Sequence, residues 1–163
     1  VEVIIRKMRK EDITSVQYVA KMSWYDTYEG IIPRSVQNRF LSEAYSNKRM
    51  LWRLRNSFIY VATIDEKIVG YANFFPLQNR GEIELGSIYI LPAYQGKGIG
   101  SQLLEKGMKR SKELKIVYIN VERENGIGRA FYHSKGFQLV DEFEDEFNGH
   151  LLRTMRMKLM ISL

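Results

Sequence analysis

Cysteine is absent from the 163 residues, and only three prolines and two histidines occur. Without a thiol there is no disulfide framework, no cysteine nucleophile and no thiolate zinc site. His133 and His150 stand apart, with no further His or Cys at ligand spacing, so no metal is expected. Long apolar runs are missing too. Nothing approaches the roughly 20 residues of a membrane-spanning helix, and Val1 to Arg6 holds no apolar leader core. A cytoplasmic protein with no membrane partner is expected. Repeats, low-complexity tracts and linker-like stretches are also lacking. A chain of this length buries about 68–70% of its unfolded surface, so one domain over residues 1–163 is expected.

Charge is plentiful but mixed: Lys and Arg number 25, Asp and Glu 19, for a formal +6. Lys97 to Lys115 is mostly basic and Asp141 to Glu146 mostly acidic. Along a helix the basic stretch is ordinarily a solvated face. Aromatic-interleaved RNA signatures and DNA-reading motifs are absent, so no nucleic-acid partner is expected.

The periodicities give an order of strand, three helices, three strands, helix, strand, helix and two strands. Glu2 to Lys7 opens as a strand, and Asp12 caps a helix whose apolar face is Ile13, Val16, Ala20 and Trp24. Short helices follow over Ser35 to Tyr45 and Lys48 to Arg55. Phe58 to Ile64 and Ile68 to Phe75 form a hairpin around Asp65, Glu66 and Lys67, and Glu82 to Leu91 is a further strand. A helix is expected over Ser101 to Leu114, a strand over Ile116 to Val121, and a helix from Asn125 to Lys135 ended by Gly136. Phe137 to Phe147 and His150 to Met160 straddle Asn148-Gly149, a type I′ hairpin signal. The pattern is α/β with mixed strand directions.

Gln95-Gly96-Lys97-Gly98-Ile99-Gly100 sits between a strand and a helix. Glycines there leave successive backbone N–H groups pointing outward at a positive helix end, which suits phosphate. The spacing fits neither a P-loop, since Gly98 stands where Ser or Thr would hold magnesium, nor the dinucleotide G-x-G-x-x-G. A plain helix start with small residues for close packing is the alternative.

Gln95-x-x-Gly98-x-Gly100 resembles the Q/R-x-x-G-x-G/A pyrophosphate loop of the GCN5-related N-acetyltransferases (GNAT). Asn125, Tyr132 seven residues later, and Gly136-Phe137 resemble that family's second signature. The likeness covers about residues 58–160. It implies a GNAT-like, mostly antiparallel twisted sheet of about seven strands, flanked by helices and splayed between the fourth and fifth strands. It also implies acetyl-CoA as co-substrate and a primary amine as acceptor.

By the same resemblance, the cofactor pyrophosphate falls to Gln95, Gly96, Lys97, Gly98, Ile99, Gly100 and Ser101. The pantetheine arm falls to the main chain of Ile88, Tyr89 and Ile90, with Asn125 and Lys135 alongside, and Gly86 is placed for a bulge that opens the strands. Tyr132 is the expected general acid. Glu84, eleven residues before Gln95, is the expected base, with Glu82 or water alone as alternatives. Gly126 and Gly128 depart from the family pattern, which prefers better helix formers there, so a looser helix start is expected.

For the acceptor, Trp24, Tyr28, Glu29 and Glu82 are candidate contacts. Polyamine-like small molecules are favoured, because the acidic Asp141 to Glu146 run, Glu29, Glu82 and Glu84 would attract a polycation. A protein N-terminus or lysine as acceptor remains open, as does a non-catalytic acyl-CoA sensor. The resemblance further implies a possible homodimer through the C-terminal strands, Phe137 to Met160.

Overall fold

The computed structural model describes residues 1–161. In chain order the elements are β1 (Ile4–Lys7), α1 (Ile13–Tyr28), α2 (Arg34–Ala44), α3 (Asn47–Asn56), β2 (Phe58–Ile64), β3 (Lys67–Pro76), β4 (Glu82–Ile90), α4 (Ile99–Met108), β5 (Ile116–Glu122), α5 (Gly126–Ser134), β6 (Gln138–Phe147) and β7 (His150–Met160). This is the order expected from the sequence. Two local details differ. Asp12 does not cap α1 with its side chain; its carboxylate instead accepts from the Arg6 guanidinium and the Arg9 N–H, in a 3-10 turn ahead of the helix. The helix expected to reach Leu114 ends at Met108, and Leu114 is buried beyond it in a turn.

The strands form one seven-stranded sheet in the order β1-β2-β3-β4-β5-β7-β6, antiparallel throughout except for β4 beside β5. Hairpin turns at Asp65-Glu66 and Asn148-Gly149 hold positive φ at both central residues, as type I′ turns require. Helices cover both faces. Tyr71 and Asn73 of β3 meet Tyr45 and Arg53 on the side of α1 to α3. Phe74, on the other face, fills the space where a Cβ of Gly107 in α4 would stand, so only glycine lets α4 lie this close.

β4 and β5 pair over just three rungs, Glu82 with Ile116, Ile83 with Val117 and Glu84 with Tyr118. Beyond Glu84 the two strands part. β4 stays paired to β3, and β5 stays paired to β7. The register slips between Asn73 and Phe74, opposite Ser87 and Leu85, leaving Gly86 as the extra residue of a bulge. Phe75 occupies the place of the missing side chain, since a Cβ on Gly86 would come within 2.6 Å of its ring. The expected splay and its bulge are therefore both present, and the opening between the strands is the feature on which the site is built.

Candidate active site

A cavity of about 660 Å³ fills the opening. One wall is β4 from Leu85 to Ile90, the other is Asn120 and Val121 of β5 with the start of α5, and the end is closed by the loop into α4. Leu91 N–H donates to Val69 O, directly opposite it, so alternate residues of β4 turn their peptide groups to β3. Tyr89 therefore spends its main chain on Tyr71, while Ile88 and Ile90 face the cleft. The Ile90 carbonyl accepts from Ser23 Oγ at 3.2 Å and Gln95 Nε2 at 3.1 Å. Ile88 is left as the open main-chain edge.

The loop into α4 is a cradle of donors. Gly96 and Gly98 hold φ of +75° and +80°, and a Cβ at either would enter open space. Among the described residues, the N–H groups of Gly96, Lys97, Gly98, Ile99, Gly100 and Ser101 make no hydrogen bond within the protein. They converge at the positive end of a ten-residue helix, where an anion is favoured. Gln95 stands outside this set, because its N–H is taken by Pro92 O at 3.3 Å and its side chain ties down Ile90. Lys97 is exposed and does not line the cavity, whereas Ser101 does.

On the opposite wall Asn125 caps α5, its Oδ1 accepting from Gly128 N–H at 3.0 Å. A Cβ on Gly128 would lie 2.6 Å from Asn125 Nδ2. The glycine that departs from the family pattern here makes room for the cap. Tyr132, four residues on, is buried between Phe131 and Phe137 and lines the cavity. Its hydroxyl makes no hydrogen bond among the described residues. Lys135 lies away from the cleft at the end of α5, with Nζ over the Phe131 ring at 5.7 Å.

Facing Tyr132 is the end of α1. Tyr28 lines the cavity and shares a hydrogen bond of 3.2 Å with the Tyr89 hydroxyl. Trp24 is buried behind them, packed on Tyr28 and Phe40 at 4.5 Å and stacked with Phe147 of the β6–β7 hairpin at 5.8 Å. It is a wall, not an open contact. Glu29 is exposed at the end of α1 and outside the cavity. Glu82 lines a separate cavity of about 460 Å³ beside Arg55, Arg80 and Arg110. Glu84 does not line the cleft either, and its Oε1 accepts from Arg156 Nη2 at 2.8 Å. The expected residues that line the cleft are thus Tyr28, Ile88, Tyr89, Ile90, Gln95, Gly96, Gly98, Ile99, Gly100, Ser101, Asn125 and Tyr132. The hydrogen bond between Tyr28 and Tyr89, each expected at the site in another role, and the presence of Asn120 were not foreseen. Alternation along β4 identifies Tyr89 as an inward side chain; Asn120 follows only from the β5–β7 register.

Comparison with known proteins follows this geometry. Residues 21–137 match the model of the acetyltransferase (GNAT) family. A spermidine N(1)-acetyltransferase of Thermoplasma acidophilum is 30% identical over 151 residues, 88% of this chain and 92% of that protein. The crystal structure of the PaiA N-acetyltransferase from Thermoplasma acidophilum in complex with coenzyme A superimposes with a TM-score of 0.87 at 27% identity, covering 99% of this chain and 100% of that one. An N-alpha-acetyltransferase RimI of Mycobacterium tuberculosis is 39% identical over 75 residues, 45% of this chain and 47% of that protein. The chain belongs to the GNAT family of acetyl-CoA-dependent N-acetyltransferases.

Burial pushes the phenols of Tyr28, Tyr89 and Tyr132 above their ordinary value, and that of Tyr71 behind them. Folding thus favours the neutral phenols. Their contribution to stability is complete below about pH 10, where an unfolded tyrosine ionises, and is lost as pH rises toward the folded values. Alkaline titration followed by phenolate absorbance and circular dichroism together should show these four ionising only as tertiary structure disappears. All ten tyrosines ionising near pH 10 with the fold intact would contradict this burial.

Proposed function

We propose that this acetyltransferase moves the acetyl group of acetyl-CoA to a primary amine of a small polycation, a polyamine, by direct attack within the one domain of residues 1–163. The observation that carries the donor half is the cradle of unpaired N–H groups from Gly96 to Ser101 at the closed end of a cleft whose β4 wall offers a free peptide edge. The residues fit a pyrophosphate bearing an extended arm with amides of its own. The cradle would hold the phosphates, and the peptide groups of Ile88 would pair with the arm like an added strand. Asn125 lines the same cleft and would stand beside that arm. Bound acetyl-CoA supplies the thioester whose acyl group is transferred.

Tyr132 is the proposed general acid. Burial holds its proton on, and its free hydroxyl is available to a leaving sulfur. Tyr28 and Tyr89 are the proposed seat of the acceptor amine. An ammonium has no lone pair, so the amine must arrive neutral, its proton passing to water at the open mouth; as the C–N bond forms and the C–S bond breaks, the proton shed by the nitrogen would replace the one that Tyr132 gives to the sulfur. Glu84, engaged by Arg156, is placed in support of this site and not at its centre.

The acceptor half draws support from charge. Beside the cleft lies a cavity of about 570 Å³ lined by Glu122, Glu124 and Glu144 with His150, and Glu124 lines both spaces. Its arginines are committed, Arg123 to Glu142 and Arg153 to Glu142 and Glu144. A second ammonium on the acceptor would meet Glu122 and Glu124 there, which pair with no arginine among the described residues. The Thermoplasma relative named for spermidine agrees with this choice. A protein N-terminus is the second reading, favoured by the shorter match to the RimI protein.

The deciding assay is acetyl-CoA-dependent release of CoA thiol, clean in a chain without cysteine, across spermidine, spermine, aminoglycosides, amino acids and short peptides. Selective turnover of the polyamines is expected; turnover of peptides alone would install the second reading. Gly98→Val should weaken acetyl-CoA binding at least a hundredfold by calorimetry, because the side chain enters the cradle and the positive φ strains it by about 1–2 kcal/mol. Tyr132→Phe should lower kcat by about a hundredfold while acetyl-CoA affinity holds within about twofold. Unchanged turnover in that variant would remove Tyr132 from the chemistry, whereas wild-type protein that binds acetyl-CoA and turns over no amine would point to the sensor alternative.

A further inference from the structure

Arg156 stands opposite Asn120 in the β5–β7 register, and its side chain crosses the sheet. Its guanidinium lies over the Tyr118 ring at 4.7 Å. Nη1 donates to Asn120 Oδ1 at 2.9 Å, and Nη2 donates to Glu84 Oε1 at 2.8 Å. The side chain thus reaches from β7 over β5 to β4, two strand spacings or roughly 10 Å. Glu84 and Tyr118 form the last rung before the strands part. The ion pair is therefore a clasp across the root of the cleft. Both its side chains are 27% exposed, shielded enough from water to hold better than a surface pair.

A second consequence lies in Asn120. A guanidinium offers only donors, so the amide atom that faces it is the oxygen. The Nδ2 amino group is then turned elsewhere, and it makes no hydrogen bond among the described residues. Asn120 is exposed and lines the cleft. Its amide is oriented as a donor.

We propose that Arg156 is a positioning residue for acyl transfer. By clasping Glu84 it fixes the width of the cleft at its root. By holding Asn120 Oδ1 it presents Asn120 Nδ2 to a carbonyl oxygen of the acyl-pantetheine arm. Glu84 is in this account the anchor of the clasp. The inference rests on the proposed function for what fills the cleft, and on the geometry for the rest.

Glutamine keeps an acceptor oxygen for Arg156 but cannot take a proton, so Glu84→Gln separates anchor from base. Acetyl-CoA affinity by calorimetry, kcat and KM over a pH series, and thermal unfolding should be measured for E84Q, E84A, R156K, R156M, N120A and the E84A/R156M double variant. E84Q should retain activity within about threefold, with an unchanged pH profile. E84A, R156M and N120A should each bind acetyl-CoA about tenfold more weakly. R156K should fall between wild type and R156M, and the double variant should be no worse than the poorer single one. E84Q as damaging as E84A, with the acid limb of kcat/KM altered, would overturn the clasp in favour of a base. Additive losses in the double variant would overturn it as well. Should R156M fail to fold, the E84Q and E84A pair decides alone. Wild-type protein that binds acetyl-CoA but acetylates no amine would defeat the proposed function, while the calorimetric comparison would still test the clasp.

Discussion

The structure turns on a backbone accounting problem. Peptide N–H and C=O groups inside a protein need partners, and an unmet one costs about 1–3 kcal/mol. A sheet ordinarily meets that need rung by rung, yet here β4 and β5 abandon one another after Glu84 and Tyr118. Side chains cover one end of the resulting gap, where Ser23 and Gln95 both donate to the Ile90 carbonyl. Arg156 spans the other end. Between them the Ile88 edge and the N–H groups of Gly96 to Ser101 are unmatched by protein. A ligand that is anionic at one end and amide-bearing along its length would answer both deficits at once.

Glycine makes this arrangement possible in two different ways, and the two were unequally visible in the sequence. Gly96 and Gly98 are required by positive φ, and a glycine-rich turn between strand and helix announces that requirement directly. Gly107, Gly86 and Gly128 are required by what lies beside them, namely Phe74, Phe75 and the Asn125 side chain. Phe74 is 33 positions from Gly107, so no local pattern links them. At the start of α5 helix propensity counts against Gly128, yet the same glycine leaves room for the Asn125 cap.

The order of elements was readable, because strand alternation, hairpin turns and a helix-ending glycine are all short-range signals, and the splay followed from the family resemblance carried by the glycine-rich loop and the second signature. What was not readable depends on register. Arg156 meets Glu84 across a separation of 72 residues, and only because β7 aligns Arg156 with Asn120. Shifting β7 by one residue would turn Arg156 to the other face and leave Glu84 free. Trp24 illustrates the same limit. Its helical period placed it on the apolar face of α1, but whether it opens onto a groove or plugs one is decided by Phe147 at the far hairpin. Aromatic content at one position says little without the partner that covers it.

The distribution of charge around the cleft separates attraction from reaction. A carboxylate beside the acceptor nitrogen would stabilise its ammonium form, which is the form that cannot attack. The proposed acceptor seat is instead built on the phenols of Tyr28, Tyr89 and Tyr132, kept neutral by burial. Of the carboxylates, Asp26 and Glu124 line the cleft wall, and Glu124 continues with Glu122 and Glu144 into the neighbouring cavity. From there they act over a range of about 8 Å in physiological salt, enough to draw a cation in without gripping the reacting end. The overall charge of +6 does not oppose this, because screening makes the local field decisive. The proposed acceptor, with amines at both ends, would use this arrangement, one end held charged among carboxylates and the other released neutral among phenols.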